Sequence, residues 1–113
     1  MTVQDSLNYP LRQQDPFLAL AHPLRRAVLE ELRAGEKPAT RLGARFGVTP
    51  SALSQHLRAL KDARLVVDRR AGRQRLYRLN PAPLRDVADW IADFSSFWPR
   101  KLGALGAHLR RTR

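Results

Sequence analysis

Two neighbouring stretches of the chain carry helical periodicity and are joined by a short segment that contains glycine. The first covers residues 39–46 and the second covers residues 50–64. Leucines recur at helical spacing in the second stretch and predict a buried stripe: Leu53, Leu57 and Leu60. Polar and basic side chains occupy another face of the same stretch: Ser51, Ser54, Gln55 and Arg58. The pattern predicts a helix-turn-helix whose second helix is apolar at the back and polar at the front.

Local signals at the helix ends support this division. Gly47 supplies the tight turn between the two helices. Thr49 followed by Pro50 is typical of a capped helix start with proline in the first turn. Asp15 followed by Pro16 predicts an earlier helix start of the same kind.

Another helix is predicted between this start and the helix-turn-helix. His22 and Pro23 break and restart the chain, and apolar residues then recur at helical spacing up to Arg33: Leu24, Ala27, Val28 and Leu32. Gly35 is a plausible stop for this helix.

The periodicity changes after Arg64. Residues 65–70 run from β-branched apolar side chains into charge, and residues 74–79 form a second strand-like run. Between them lies a turn that contains Gly72. The two runs predict a β-hairpin, and a hairpin directly after a helix-turn-helix is a wing.

A further apolar stripe runs through the C-terminal part of the chain, with its members three or four residues apart: Leu84, Val87, Ile91, Phe94, Trp98, Leu102, Leu105 and Leu109. This near-heptad spacing predicts a helix that buries one face along its length, as a dimerisation helix does. Ser95, Ser96 and Pro99 interrupt the stripe and predict a kink or break near Pro99.

Together these elements predict a mainly α fold with a small β-hairpin wing, that is, a winged helix-turn-helix. Residues 1–14 are polar and interrupted by proline, and we expect them to form an N-terminal arm. Residues 15–113 are expected to form one winged helix-turn-helix domain with a C-terminal dimerisation helix. A domain within 113 residues has limited apolar burial of its own, so dimerisation would extend its core.

Composition narrows the choice of partner and compartment. The formal net charge is +11 and the sequence pI is about 11.6, which favours a polyanionic partner. Arginine-rich composition also arises in GC-rich genomes, so the positions of the charges must decide. The absence of cysteine excludes disulfides and thiol sensing. No signal pattern or bilayer-length apolar run occurs, so a cytoplasmic protein without a membrane partner is expected.

The polar front of the second helix has the chemistry that reads base edges in double-stranded DNA, and we call this helix the recognition helix. Gln55 can pair bidentately with adenine, and Arg58 can reach guanine or phosphate one turn later. The wing adds a cluster of five arginines, with Arg73 at its tip as the best candidate for the minor groove. The predicted DNA-binding residues are Thr49, Ser51, Ser54, Gln55, Arg58, Arg69, Arg70, Arg73, Arg75 and Arg78.

Other interpretations account for fewer features. The wing arginines could be a solvated edge whose charge prevents pairing between sheets. A metal site would have only three histidines as nitrogen ligands, in three separate predicted elements: His22, His56 and His108. Carboxylates or a partner subunit would be needed to complete such a site. No phosphate loop or catalytic triad indicates an enzyme. Non-specific chromosome binding fits the charge, but a polar-faced helix favours reading of sequence.

Three strings resemble motifs of the ArsR family of bacterial repressors. Residues 20–26 are similar to its opening motif, residues 48–57 to its recognition helix and residues 72–80 to its wing. The similarity covers about residues 17–95. It implies a homodimer, paired through the first and last helices, that binds an imperfect palindrome and blocks transcription.

The chain departs from the metal-sensing members of that family. Residues 39–46 contain no cysteine, and the last predicted helix lacks the Asp-x-His and His-x-x-Glu patterns. Its aromatic residues resemble the metal-independent, autorepressor-like branch, which implies no cofactor. A metal-responsive repressor and a regulator signalled by a partner protein are the alternatives. The implied dimer interface comprises Phe17, Leu20, Leu84, Val87, Trp90, Ile91, Phe94, Trp98 and Leu102.

Overall fold

The structure is a computed structural model that describes residues 15–98. Its helices are α1 (Pro16–Ala19), α2 (Pro23–Leu32), α3 (Ala39–Phe46), α4 (Pro50–Asp62) and α5 (Ala82–Ala92), followed by a 3₁₀ helix (Ser95–Phe97). Its strands are β1 (Lys37–Pro38), β2 (Val66–Ala71) and β3 (Gln74–Leu79). The predicted helix-turn-helix is α3 and α4, and the predicted wing is β2 and β3. The mainly helical fold with a small hairpin is therefore confirmed.

Three helices begin in the same way, with an N-cap side chain followed by proline in the first turn. The Asp15 carboxylate accepts a hydrogen bond from the Phe17 amide at 2.8 Å, and His22 Nδ1 accepts one from the Leu24 amide at 3.1 Å. Thr49 Oγ1 accepts one from the Ala52 amide at 3.1 Å. These caps satisfy amide groups that have no partner within the helix, so the sequence locates the helix starts locally.

The recognition helix is α4, and left-handed residues stand close to both of its ends. Gly47 ends α3 at φ 64° and ψ 33°, a conformation that glycine adopts without a steric penalty. Arg64 has φ 63°, and its carbonyl accepts a hydrogen bond from Asn80 Nδ2 at 2.7 Å. The helix ends at Asp62, two residues earlier than the sequence pattern suggested, because the chain turns here into the sheet.

Residues 15–83 form one unit with an apolar core. Its buried side chains come from α2, from the two helices of the motif and from the segment that leads into β2: Val28, Leu29, Leu32, Leu42, Leu53, Leu57, Leu60, Ala63, Leu65 and Val66. All three predicted leucines of the recognition helix belong to it, with 4%, 2% and 0% of their surfaces exposed. Each such leucine contributes about 2 kcal/mol by leaving water.

The sheet has three antiparallel strands in the order β1-β3-β2. In the hairpin Val66 pairs with Leu79 and Asp68 pairs with Tyr77. Strand β1 pairs Lys37 with Tyr77, and sequence reasoning did not predict it. Two residues are too short to show the period-two alternation that identifies a strand.

The C-terminal unit within the described residues covers residues 84–98. The expectation that its helix continues to the region of Pro99 is wrong, because α5 ends at Ala92. The amide of Phe94 bonds to the carbonyl of Ile91 at 3.0 Å, so the chain tightens into 3₁₀ geometry before the serines. No side chain of α5 is buried within the single chain. The predicted arm 1–14 and the interface residue Leu102 lie outside the described residues, as do the last two leucines of the stripe.

Candidate nucleic-acid interface

The recognition helix presents two chemically distinct faces. Its leucines are buried, whereas its predicted front is exposed to solvent: Ser51, Ser54, Gln55 and Arg58. Thr49 is exposed too, although its hydroxyl oxygen accepts the capping hydrogen bond. The front therefore offers hydroxyl, amide and guanidinium groups on a helix that is anchored from behind.

The back of the same helix is also held by a polar contact. The Arg25 Nε–H group on α2 donates to His56 Nδ1 at 3.2 Å, and the rings of His22 and His56 lie 4.4 Å apart. Burial lowers the pKa of His56, and the neighbouring His22 and Arg25 charges lower it further. His56 is therefore a neutral packing residue that accepts a hydrogen bond, which agrees with a structural rather than a catalytic role.

An open cleft of about 570 Å³ borders the recognition helix on the side of α1 and α2. Gln55 and Arg58 line it together with Arg25 and Asp62. The structure thus places Arg25, which sequence reasoning had not selected, next to two predicted DNA-binding residues. Arg25 precedes His56 of the recognition helix by 31 residues, so no local sequence signal indicates this proximity.

The wing is closed by a tight turn at Gly72 and Arg73. Gly72 has φ 64°, while Arg73 is not among the residues with positive φ. A positive φ at only the first central position is typical of a type II′ hairpin turn, which suits the twist of the flanking strands. Arg73 therefore lies in the two-residue turn at the tip of the hairpin, where the sequence placed it.

The five wing arginines do not share one surface. Arg70 pairs directly with Arg75 across the hairpin, so both lie on the face that carries Asp68. Arg69 and Arg78 lie on the opposite face, because side chains alternate along a strand. The compact cluster expected from the sequence is therefore divided between two sides of the hairpin and its tip.

Two of these arginines are occupied by ion pairs. Arg69 forms a two-pronged contact with Glu36, with N–O distances of 2.9 and 2.8 Å. The hydrogen bond from Arg69 lowers the pKa of Glu36, and the charges of Arg69 and Arg78 add to this effect. Arg75 donates to Asp68 at 2.9 Å. Among residues 15–98, Arg70, Arg73 and Arg78 have no carboxylate partner within 4 Å, so their charges are available to phosphate.

Comparison with known proteins identifies the family. Residues 20–69 match a family described as a helix-turn-helix domain. The HTH-type transcriptional regulator Rv2034 of Mycobacterium tuberculosis is 43% identical over 84 residues, covering 74% of this chain and 76% of that protein. The transcriptional repressor SdpR of Bacillus subtilis is 33% identical over 78 residues, covering 69% of this chain and 87% of that protein.

A solved structure agrees with both relatives. The crystal structure of the ArsR family transcriptional regulator RHA00566 matches with a TM-score of 0.69 at 30% identity, covering 77% of this chain and 97% of that chain. The chain belongs to the ArsR family of winged helix-turn-helix transcriptional regulators. Its relatives are regulators rather than enzymes, and it is a DNA-binding regulator like them.

Within this ArsR family chain, sequence reasoning missed the acidic residues that organise the wing. Glu36 and Asp68 bind three basic side chains that lie 7 to 33 positions away in the sequence: Lys61, Arg69 and Arg75. An acidic residue among many arginines carries no signal of which one it will meet.

Two kinds of feature are absent from the part of the chain that the structure describes. None of its helices is long and apolar enough to cross a membrane. Over the same residues, 15–98, no three histidine or acidic side chains are grouped so that they could hold a metal ion.

Proposed function

We propose that this protein represses transcription as a homodimer that binds an imperfect palindrome. In each protomer the recognition helix enters the major groove while the wing tip reaches the flanking phosphates or minor groove. The observation that carries the proposal is the exposed polar front of a helix whose apolar back is buried in the core. The wing arginines without an ion pair among residues 15–98, Arg70, Arg73 and Arg78, supply charge for the phosphate backbone.

The front and the wing have different roles in this proposal. Gln55 is the main base-reading residue, because its amide can donate to and accept from the edge of adenine at once. Arg73 contacts the backbone or minor groove and therefore contributes on every sequence. Arg69 and Arg75 contribute less than the sequence suggested, since each is bound to a carboxylate.

The test begins by selecting the genomic fragments that the purified protein binds and locating the common half-site. On that site we expect Gln55→Ala to cost about 1–3 kcal/mol and to relax the preference at one base pair. Arg73→Ala should weaken all sequences and reduce the salt slope by about 1. Gln74→Ala is the matched control, because it is the exposed, uncharged neighbour of Arg73. Equal losses on every sequence for the Gln55 and Arg73 variants would contradict this division of roles.

The homodimer is supported by the apolar surface of the C-terminal unit. Trp90, Ile91, Phe94 and Phe97 have 54%, 41%, 42% and 81% of their surfaces exposed in the single chain. The rings of Trp90 and Phe94 lie 4.9 Å apart in an edge-to-face arrangement, and Phe97 extends this cluster. Large clustered apolar side chains of this kind are typical of a surface that another chain covers. We expect half-sites to lie about 10–10.5 base pairs apart or a multiple of that distance.

Sedimentation and site binding test the dimer together. Phe94→Ser should shift the protein towards monomer at micromolar concentration and weaken binding to the full palindrome more than to a half-site. Asp93→Ser changes the adjacent exposed position and should leave the assembly intact. A wild-type monomer at micromolar concentration would contradict the proposal.

We also propose that DNA binding does not depend on a metal site of the protein's own. His22 and His56 each use Nδ1 to accept a hydrogen bond, so those atoms are already engaged. Titration with nickel, zinc and cobalt should leave affinity for the selected site within a few-fold. A shift of more than tenfold would establish the metal-responsive alternative.

A further inference from the structure

Asp68 joins the wing to the recognition helix. Its carboxylate lies 3.1 Å from Lys61 Nζ in the last turn of α4 and 2.9 Å from Arg75 Nη1 in β3. The Asp68 side chain is only 9% exposed, whereas those of Lys61 and Arg75 are 53% and 46% exposed. One carboxylate in β2 therefore binds cations from two other elements, the helix that reads DNA and the second wing strand.

The position of Asp68 along the hairpin gives this contact its importance. On the same face of β2, Val66 is 1% exposed and belongs to the core, while Arg70 is already exposed. Asp68 stands between them, opposite Tyr77. It is thus the last position of this strand face that is tied to the body of the domain before the hairpin extends to its tip.

The charge balance at Asp68 favours a permanent contact. Burial would raise the pKa of this carboxyl, but hydrogen bonds from Lys61 and Arg75 and their charges outweigh burial and lower it. The carboxylate is therefore ionised throughout the neutral range. Breaking its contacts would leave a poorly solvated anion, which is more costly than losing an exposed pair.

We propose that Asp68 is a positioning residue that holds the wing against the end of the recognition helix, so that the helix front and the wing tip bind DNA as one rigid unit. The inference rests on the proposed DNA-binding function and deepens it. Asp68 itself would not contact DNA. Its effect would be on specificity, since a fixed wing can add its contacts only when the helix is in the correct register.

Glu36 provides a matched comparison within the same hairpin. It is also an acid bound to a wing arginine, with an Arg69 Nη2 distance of 2.8 Å. However, it lies on the segment before β1 and binds the opposite face of the hairpin, and among residues 15–98 it forms no ion pair with the recognition helix. Asp68→Asn and Glu36→Gln therefore remove one negative charge each, and only the first removes the link to the helix.

The experiment measures affinity for the selected site and for unrelated DNA at one salt concentration, and compares their ratio. Loss of an anion alone should raise both affinities and leave the ratio unchanged, which is the result expected for Glu36→Gln. Asp68→Asn should lower the ratio roughly fivefold, within the usual range for coupled neighbouring groups. Lys61→Gln, which removes the helix side of the link, should lower the ratio in the same way while weakening binding overall.

A double-mutant cycle with Arg73→Ala isolates the positioning effect. In the wild-type background the loss of Arg73 should weaken specific binding, and in the Asp68→Asn background the same change should have less than half that effect on the logarithm of affinity. An unchanged Arg73 effect, or an unchanged ratio in both Asp68→Asn and Lys61→Gln, would overturn the proposal.

A readout without DNA separates this proposal from the function on which it rests. Amide hydrogen exchange of residues 70–75 should accelerate at least threefold in Asp68→Asn and Lys61→Gln, and remain unchanged in Glu36→Gln. Equal exchange in all variants would overturn the positioning role even if DNA binding were normal. If wild-type protein shows no site preference, the proposed function fails, while accelerated exchange would still support the link.

Discussion

The two faces of the recognition helix should be separable by single substitutions one residue apart. Leu57 points into the core with 2% of its surface exposed, and Arg58 is exposed without an ion pair within 4 Å among residues 15–98. We compare Leu57→Ala with Arg58→Ala. The first should reduce stability with little change in DNA affinity, and the second should do the reverse.

The magnitudes follow from burial. Leu57 lies on a helix that is packed by α2, α3 and β2, so the space left by truncation is enclosed on several sides and cannot collapse fully. Replacement of such a leucine costs about 3 kcal/mol, from the lost transfer energy and the remaining cavity. For a domain of this size the expected fall in Tm is about 12–24 °C. Arg58→Ala changes an exposed helical position, so stability should stay within about 0.5 kcal/mol.

Urea unfolding, followed by helical circular dichroism, measures the first quantity, and fluorescence anisotropy with the selected DNA site measures the second. Both variants must be compared at one protein concentration, because a dimer is stabilised by mass action. Arg58→Ala should weaken specific binding by about 1–3 kcal/mol. A loss of stability above 1 kcal/mol for Arg58→Ala, or below 1 kcal/mol for Leu57→Ala, would refute the assignment of the two faces.

Three further predictions concern the local structure around this helix. Because the pKa of His56 is lowered in the folded state, its contribution to stability should be complete above the unfolded value of about 6.5 and should fall as the pH drops below that value. Urea unfolding between about pH 7 and pH 5 should show a smaller fall in stability for His56→Gln than for the wild type. Parallel curves for the two proteins would contradict the coupling. Gly47→Ala should cost about 1 kcal/mol, because position 47 has a left-handed backbone. Gly43→Ala should instead stabilise the protein by about 0.5–1 kcal/mol, since its added Cβ would meet Leu53 Cδ2 at an ordinary 3.5 Å. Equal Tm shifts for the two variants would count against this reasoning. Thr49→Ala should lose about 1 kcal/mol of thermal stability through its cap, and an unchanged Tm would show that the cap is dispensable.

The sequence by itself determined the helix-turn-helix and its two faces. The caps at Asp15 and Thr49, the turn at Gly47 and the leucine period all act within a few residues of the chain. Local interactions of this kind leave a readable pattern, because the residues that interact are close in sequence. The family resemblance relied on the same compact strings and was confirmed by relatives at 43% and 33% identity.

Tertiary structure alone decided how the charges are used. A run of arginines predicts a basic wing, but only the strand register divides Arg70 and Arg75 from Arg69 and Arg78. Whether an arginine meets phosphate or a carboxylate depends on residues 33 positions away, as in the contact of Arg69 with Glu36. The end of α5 at Ala92 and the two-residue strand β1 were likewise missed. Periodicity reports which face of an element is apolar, while partners brought together by folding are distant in sequence and leave no trace in it.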